Sequence, residues 1–516
     1  MAHGTTLLDS IAAGARWYPD REALVQGERD RTVTYGELYE ASRSVAHGLR
    51  GAGVEPGDRV AMVDRSTVEH TIAFLGVLWA GALPATVHFR ESQETITAMV
   101  DRLDPTAVVF QPDLHDVVSP LVDTLASVEL FVALDGLGDV PSFARPMTEL
   151  RETDPGELPS VAPTDRAFIN FSSGTTGVPK PVVHTHANVV ESSHLGIFKK
   201  QIGPRTRTLK TNTPSFIAWA NATFPTLTAG ATVVYLERSD PAEILATVEA
   251  ERVTSLVLVP TVWKHIVAAG TTAYDLTSVE LAGYAGAPLD PPLFEAIRTS
   301  ICERVTTMYG TTETMSSSTV LFPEDVTTET LDSIGYPAPN TELRLVEPDS
   351  RDPSAEVAQG DPGEILIRGP CVADEIWDDP AATADSFHDD GWVYTGDLAA
   401  VGDDGLLYLL GRADNMILSG GINVYPEKVR AALVDHPRIE DAAVVGVPHP
   451  EWGETPKAFI VSADPELDEA DLEELCRELP ALADYQRPRR FELVDSLPRT
   501  GTNKLDYAAL RGSTSN

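Results

Sequence analysis

The chain is 516 residues long, and at roughly 150 residues per domain that length excludes a single small module. Hydrophobic residues make up 42% and charged residues 23%, near the globular average, so intrinsic disorder is excluded as the main state. Lys plus Arg number 39 against 78 Asp plus Glu, a net charge of −39 that repels phosphate backbones and anionic headgroups; broad nucleic-acid or membrane-surface binding is excluded.

In chain order, the opening MAHGTTLLDSIAAGARWYPDRE has no cationic stretch followed by an apolar run, and nowhere do about 18 consecutive apolar residues occur. A soluble, cytoplasmic protein without a membrane span is expected. The runs RVAMV (59–63), TAVVF (106–110), ATVVYL (231–236) and TSLVLVP (254–260) are short, β-branched and bounded by Gly, Pro or Asp, as buried strands are. Between them TIAFLGVLWAGA (71–82) and PAEILATVEAERV (241–253) carry helical periodicity, and this alternation predicts helix-covered parallel sheets of an α/β fold. From about 341 the texture shortens to TELRLVE, GEILIRG and GLLYLLG between Asp/Gly/Pro turns, which predicts a small antiparallel β subdomain over 341–411. After GRADNMILSGG (411–421) a compact α+β pattern of about 100 residues follows. The expected organisation is a large N-terminal domain, 1–411, and a small mobile C-terminal domain, 412–516, with a hinge at 411–415. The acidic run 464–475 reads as a solvated helix face.

Cys302, Cys371 and Cys476 are far apart with no CxxC pair, so they read as reduced thiols, and no zinc site is indicated. Lys occurs only eight times and Arg supplies most of the positive charge. Acidic excess with scarce Lys suits a protein kept hydrated in concentrated salt. A GC-rich genome that favours Arg codons yields the same composition.

The most informative segment is FINFSSGTTGVPKPVVHTH (168–186). An apolar strand end leads into Ser172, Ser173, Gly174, Thr175, Thr176 and Gly177, then Val178, Pro179 and Lys180. Glycines let backbone N–H groups approach closely, hydroxyls add donors and Lys180 adds charge, a composition that suits a polyphosphate. Pro179 stands where a Walker A loop requires Gly.

FSSGTTGVPK resembles the phosphate loop of the adenylate-forming superfamily, which contains acyl-CoA synthetases, nonribosomal adenylation domains and beetle luciferases. Four more segments follow in that superfamily's order: YGTTET (309–314), YTGDLA (394–399), GRADNMILSGGINVYP (411–426) and PRTGTNK (498–504). The resemblance implies that Lys504 bridges the substrate carboxylate and the α-phosphate, that Thr312 contacts the α-phosphate and that Glu313 binds Mg²⁺. It places Tyr309 on one face of adenine and Gly286, Ala287 and Pro288 of YAGAPL on the other. Asp397 and Arg412 match the ribose pair, Asp414 the pivot of the C-terminal domain, and Gly420 and Gly421 the channel for a thiol arm. Each assignment suits a reaction in which two anions meet, since cations and oriented dipoles must face the charge that builds on phosphorus.

Several positions depart from the family's pattern. Pro181 and Asn503 replace common glycines, Ile217 stands where many acyl-CoA synthetases carry a His, Lys428 replaces a Glu and Gln486 a frequent Lys. The implied activity is ATP- and Mg²⁺-dependent ligation of a small carboxylic acid to CoA, with a carrier-protein pantetheine as the alternative acceptor. A luciferase-like oxygenase and a non-catalytic nucleotide-binding relative are the readings from other classes. By analogy of position the acid's pocket draws on Trp219, Tyr284, Gly286, Gly310 and Met315, and these mixed aromatic and small residues suit an aryl or a medium aliphatic acid. Arg487, Arg489 and Arg490, with Lys428, form the densest basic cluster available to CoA's phosphates; ion pairs to nearby acids are the other reading.

Overall fold

The β-branched runs become strands where the sequence marks them. RVAMV is the strand Arg59–Val63, TAVVF contains Ala107–Phe110, and the two later runs contain Thr232–Tyr235 and Ser255–Leu258. Helices start on side-chain caps. Thr34 Oγ1 accepts from the Glu37 N–H while Glu37 accepts from the Thr34 N–H, so two otherwise unpaired donors are satisfied at the head of Tyr35–Gly51.

The structure is a computed structural model, and it describes residues 5–125, 128–151, 156–172, 178–316, 318–348, 350–420, 422–479, 482–500 and 504–513. These form two compact units, one from the residues up to 172, 178–342 and 367–393, the other from 343–366 and 394–513.

The first unit holds two sheets. One runs, in spatial order, Glu375–Ile376, Lys180–Thr185, Arg166–Ser172, Leu83–Thr86, Arg59–Val63, Ala107–Phe110, Leu130–Ala133 and Arg145–Pro146; it is parallel from Arg166–Ser172 onward. The other runs Val305–Thr307, Leu281–Tyr284, Ser255–Leu258, Arg207–Lys210, Thr232–Tyr235, Glu22–Gln26 and Arg31–Thr34, and only its last pair is antiparallel. The helices Val68–Trp79 and Ile217–Thr228 are buried on nearly every side, as helices with little polar face must be. Their rings Phe74, Trp219 and Phe224 meet Phe168 in one cluster, Phe74 lying 5.4 Å from Trp219 and 5.8 Å from Phe168. Each such ring removed from water contributes about 2–3 kcal/mol.

In the second unit the strands Glu342–Val346, Gly363–Arg368, Trp392–Val401 and Leu407–Arg412 lie side by side in the order 342–346, 363–368, 392–401, 407–412. Beyond them Ile422–Val424, Ile417–Ser419, Gly453–Ser462 and Ile439–His449 form a second sheet, with Arg490–Leu493 parallel to Gly453–Ser462. The helices Pro426–Val434 and Glu469–Glu478 close a core of Val429, Leu433, Val444, Ile460 and Leu472. Leu472, Leu475 and Cys476 point inward from the acidic run, and Asp468 caps its helix by accepting from the Asp471 N–H. All three cysteines are free and buried. Among the described residues no helix is long and apolar enough to cross a membrane, and no cluster of three His, Cys, Asp or Glu could hold a metal ion.

Candidate functional site

Ser172 and Lys180 are the last cross-strand pair of the hairpin formed by Arg166–Ser172 and Lys180–Thr185. A strand therefore follows the phosphate-loop segment, where a Walker A loop would open a helix. Ser173, Gly174, Thr175, Thr176 and Gly177 lie outside the described residues. On the same hairpin His184 stacks on Phe168, ring centroids 5.0 Å apart. Complete burial pushes the His184 imidazole down to about 3, with the Thr312 backbone opposing that shift, so the ring is neutral. The loop hairpin and the YGTTET segment thus touch.

YGTTET leaves the strand Val305–Thr307 at its carboxyl end. The Tyr309 carbonyl accepts from the Ser318 and Thr319 N–H groups at 3.1 and 3.0 Å. Thr311 heads the single turn Thr312–Thr314, and its N–H donates to Thr314 Oγ1 at 2.9 Å. Glu313 is half-buried; its carbonyl is held by the Ala373 N–H at 2.8 Å, and its carboxylate makes no hydrogen bond or ion pair among the described residues. A hard oxygen donor with no partner among the described residues is the kind of ligand that suits Mg²⁺. Met315 and Ser316 follow with φ of 53° and 51°, left-handed values that cost a non-glycine residue about 1–2 kcal/mol each. Asn221 offsets this by donating from Nδ2 to the Met315 carbonyl at 2.8 Å.

Gly286, Ala287 and Pro288 are exposed and follow the strand Leu281–Tyr284, with Gly286 at φ 85°. That strand pairs in parallel with Val305–Thr307, Tyr284 opposite Thr307, so Gly286 and Tyr309 emerge side by side at carboxyl ends of adjacent strands. This edge is where open α/β sheets receive ligands. Of the residues placed in the acid's pocket by analogy, Trp219 packs in the core, and Tyr284 is buried with its hydroxyl donating to the Leu331 carbonyl at 2.9 Å. Ile217 opens the helix Ile217–Thr228; beside it His88 lies against Phe216, centroids 5.2 Å apart, with Nδ1 at 2.9 Å from Ser215 Oγ.

In the second unit Asp397 and Arg412 are direct cross-strand partners. Arg412 Nη1 lies 3.1 Å from Asp397 Oδ1 and donates to the Thr395 carbonyl at 2.7 Å, while Nη2 lies 3.6 Å from Asp414 Oδ2. Gly396 sits at φ 68°, and a Cβ there would come within 2.7 Å of the guanidinium. Asp414 belongs to the single turn Ala413–Asn415. Arg511 donates to the Asp414 carbonyl at 2.9 Å and to Asn415 Oδ1 at 2.7 Å, and a cavity of about 310 Å³ opens between Asp414, Glu454 and Arg511. Gly420, at φ 59°, begins the tight turn joining Ile417–Ser419 to Ile422–Val424, and its N–H donates to the Trp452 carbonyl at 2.9 Å. Gly421 and Asn503 lie outside the described residues. Lys504 is exposed; its carbonyl accepts from the Thr500 N–H at 2.8 Å. Arg487 and Arg489 both pair with Asp484, at 3.3 and 3.0 Å, whereas Arg490 forms no ion pair among the described residues.

Sequence reasoning passed over three lysines. Lys199, Lys200 and Lys210 are buried in the first unit; Lys199 Nζ lies 3.5 Å from the Ser316 carbonyl, and Lys200 binds Asn221, which holds the Met315 carbonyl. A signal existed: three of the chain's eight lysines fall within twelve residues of one another.

Residues 11–377 match the family model described as AMP-binding enzyme, and 428–504 match the AMP-binding enzyme C-terminal domain. The 2-succinylbenzoate–CoA ligase of Bacillus licheniformis is 31% identical over 491 residues, 94% of this chain and 96% of that protein. Feruloyl-CoA synthase of Amycolatopsis sp is 33% identical over 494 residues, 95% of each chain. Among solved structures, O-succinylbenzoate coenzyme A synthetase from Bacillus subtilis, in complex with ATP and magnesium ion, superposes with a TM-score of 0.84 at 27% identity, covering 97% of this chain and 99% of that one.

Proposed function

The chain belongs to the AMP-binding enzyme family, and from that premise we propose which residues carry each step of its reaction. It is an AMP-forming acid–thiol ligase of the acyl-CoA synthetase type. A carboxylate oxygen attacks the α-phosphorus of ATP and pyrophosphate leaves; the CoA thiol then attacks the acyl carbonyl, losing its proton, and AMP leaves.

Ser172, Ser173, Gly174, Thr175, Thr176, Gly177 and Lys180 hold the terminal phosphates through N–H groups, hydroxyls and one ammonium. Thr312 donates to the α-phosphate. Tyr309 covers one face of adenine and Gly286, Ala287 and Pro288 the other. Asp397 accepts from the ribose hydroxyls, and Arg412, anchored on Thr395, keeps that carboxylate aimed. Glu313 is the Mg²⁺ ligand; the chemistry a bound ion supplies is charge neutralisation on the leaving pyrophosphate. Lys504 neutralises the two anions that meet during adenylation. The C-terminal domain, 412–516, then turns about Asp414 and presents Gly420 and Gly421 to the thiol arm.

The observation that carries this reading is the shared strand edge from which Gly286 and Tyr309 emerge, with Thr312 lying against the hairpin of Ser172 and Lys180. A carrier-protein acceptor is the second reading. It is favoured by the engagement of Arg487 and Arg489 with Asp484, which leaves Arg490 and Lys428 as the cations of that cluster with no ion pair among the described residues. Acid-dependent ATP–pyrophosphate exchange over a carboxylic-acid panel tests the first half-reaction. Comparison of kcat/KM for CoA, pantetheine and a carrier protein tests the acceptor. Exchange that does not depend on any acid overturns the ligase assignment, and indifference between CoA and pantetheine with fast transfer to a carrier overturns CoA.

A further inference from the structure

Three ammonium groups lie inside the first unit without a carboxylate. Lys199 and Lys200 end the helix His186–Lys200 and Lys210 ends the strand Arg207–Lys210; they are 1%, 4% and 3% exposed. Lys200 Nζ donates to the Asn221 carbonyl and, at 2.7 Å, to Asn221 Oδ1. Lys210 Nζ donates to Asn212 Oδ1 at 2.9 Å. Among the described residues Lys199 Nζ reaches one hydrogen-bond partner, the Ser316 carbonyl at 3.5 Å, the outer limit of a hydrogen bond. None of the three forms an ion pair among the described residues. Burial brings Lys199 down to about 8 and Lys210 to about 7; Lys200 falls well below the usual value through burial and then through the charges of Lys199 and Lys210.

A structural role does not account for the group. The carbonyl end of a helix favours cations, which covers Lys199 and Lys200. It does not cover Lys210 at the end of a parallel strand, where Leu or Met would fill the space without a buried charge. Buried ions are normally paired, and here Lys200 instead feels the like charges of both Lys199 and Lys210. Their position adds a second argument. Arg207–Lys210 lies next to Ser255–Leu258 in the sheet whose carboxyl edge also releases Gly286 and Tyr309, so Lys210 stands at the carboxyl end of a strand on the ligand-receiving edge. Asn221 ties the cluster to the same segment, since it binds Lys200 on one side and the Met315 carbonyl on the other.

We propose that Lys199, Lys200 and Lys210 receive a second carboxylate on the acid being activated, so that the preferred substrates are dicarboxylic acids. The inference rests on the ligase reading above. One carboxylate reacts at the α-phosphorus; the other stays ionised and supplies the counter-charge that the lysines lack. An acid with an apolar tail leaves the amines uncompensated, and they shed protons instead. The titratable groups nearby are the Cys371 thiol, which burial pushes to about 12 and which faces Lys199, and Glu191 beyond that thiol.

The test uses matched pairs, hexanoate against adipate, octanoate against suberate and benzoate against terephthalate, in ATP–pyrophosphate exchange. At least one diacid is expected to exceed its partner in kcat/KM by tenfold or more, and Lys199→Met or Lys210→Met to lower that ratio at least tenfold. Titration calorimetry at pH 8 in two buffers of different ionisation enthalpy gives an independent readout: the diacid takes up protons on binding and the monoacid does not. Equal or better use of monoacids, or no proton uptake with an active diacid, overturns the inference and leaves the ligase reading intact. Absence of exchange with every acid overturns the ligase reading itself. If the methionine variants fail to fold, the wild-type ratio and the proton count decide alone.

Discussion

Arg412 spans its strand pair to reach Asp397, Nη1 to Oδ1 at 3.1 Å, and is itself anchored on the Thr395 carbonyl at 2.7 Å. The missing Cβ of Gly396 leaves room for the guanidinium, and the anchored guanidinium in turn holds the Asp397 carboxylate. A ribose hydroxyl bonded to a charged group contributes about 1.5–3 kcal/mol. Arg412→Ala is therefore expected to raise the KM for ATP at least tenfold with a smaller effect on the KM for the acid. An unchanged KM for ATP removes the ribose pair from the assignment.

Lys504→Ala is expected to cut adenylation by roughly 10²–10³-fold, the scale for losing one oriented donor at a developing charge. Thioester formation from supplied acyl-AMP should survive, because in the proposed mechanism Lys504 serves only the first half-reaction. Single-turnover measurement of each half-reaction separates the two, and equal loss in both counts against a swinging C-terminal domain.

Much of this was legible in the sequence, for physical reasons that differ by region. Arg59–Val63 and Ala107–Phe110 are short β-branched runs with nowhere to go but a sheet interior, and Thr34 with Glu37 announces a helix start. The loop segment 172–180 stands out because a run so rich in Gly, Ser and Thr after an apolar strand matches no helix or strand pattern. What stayed hidden depends on tertiary neighbours. Nothing local to Lys210 says that its strand end is buried, and nothing local to Arg487 and Arg489 says that Asp484 engages both. Nothing local to Tyr284 says that its hydroxyl donates to the Leu331 carbonyl, 47 residues on.

Asp414→Pro should restrict the backbone at the proposed pivot, leaving adenylation largely intact while thioester formation collapses. The Asp414 carbonyl also holds Arg511, so the substitution acts where the C-terminal helix Tyr507–Ser513 is tethered. Rapid-quench detection of acyl-AMP beside thioester checks this; an unchanged overall rate moves the pivot elsewhere.

A net charge of −39 makes stability depend on salt if the composition is a salt adaptation. Raising KCl to about 1 M shortens the screening length to about 3 Å and removes most self-repulsion between surface carboxylates. The Tm should then rise steeply from dilute buffer to molar KCl. A Tm and an activity that both peak in dilute buffer leave codon preference as the explanation.

Two buried histidines set an acid limit. Burial is the main cause that brings His184 to about 3 and His186 to about 4, the latter opposed by Asp165 and Asp9. Unfolded histidine titrates near 6.5, so between about pH 6.5 and 5 the unfolded chain binds more protons than the native one and stability falls as pH falls. Each histidine contributes a slope of up to about 1.4 kcal/mol per pH unit in that window and none above it. His184→Gln removes one titration while leaving His186, so the variant's stability should fall about half as steeply. Urea midpoints at pH 7.5, 6.5, 5.75 and 5 measure the slope for both proteins. Parallel slopes would show that the His184 imidazole titrates alike in the native and unfolded chains, and with it that the hairpin carrying it is open to water.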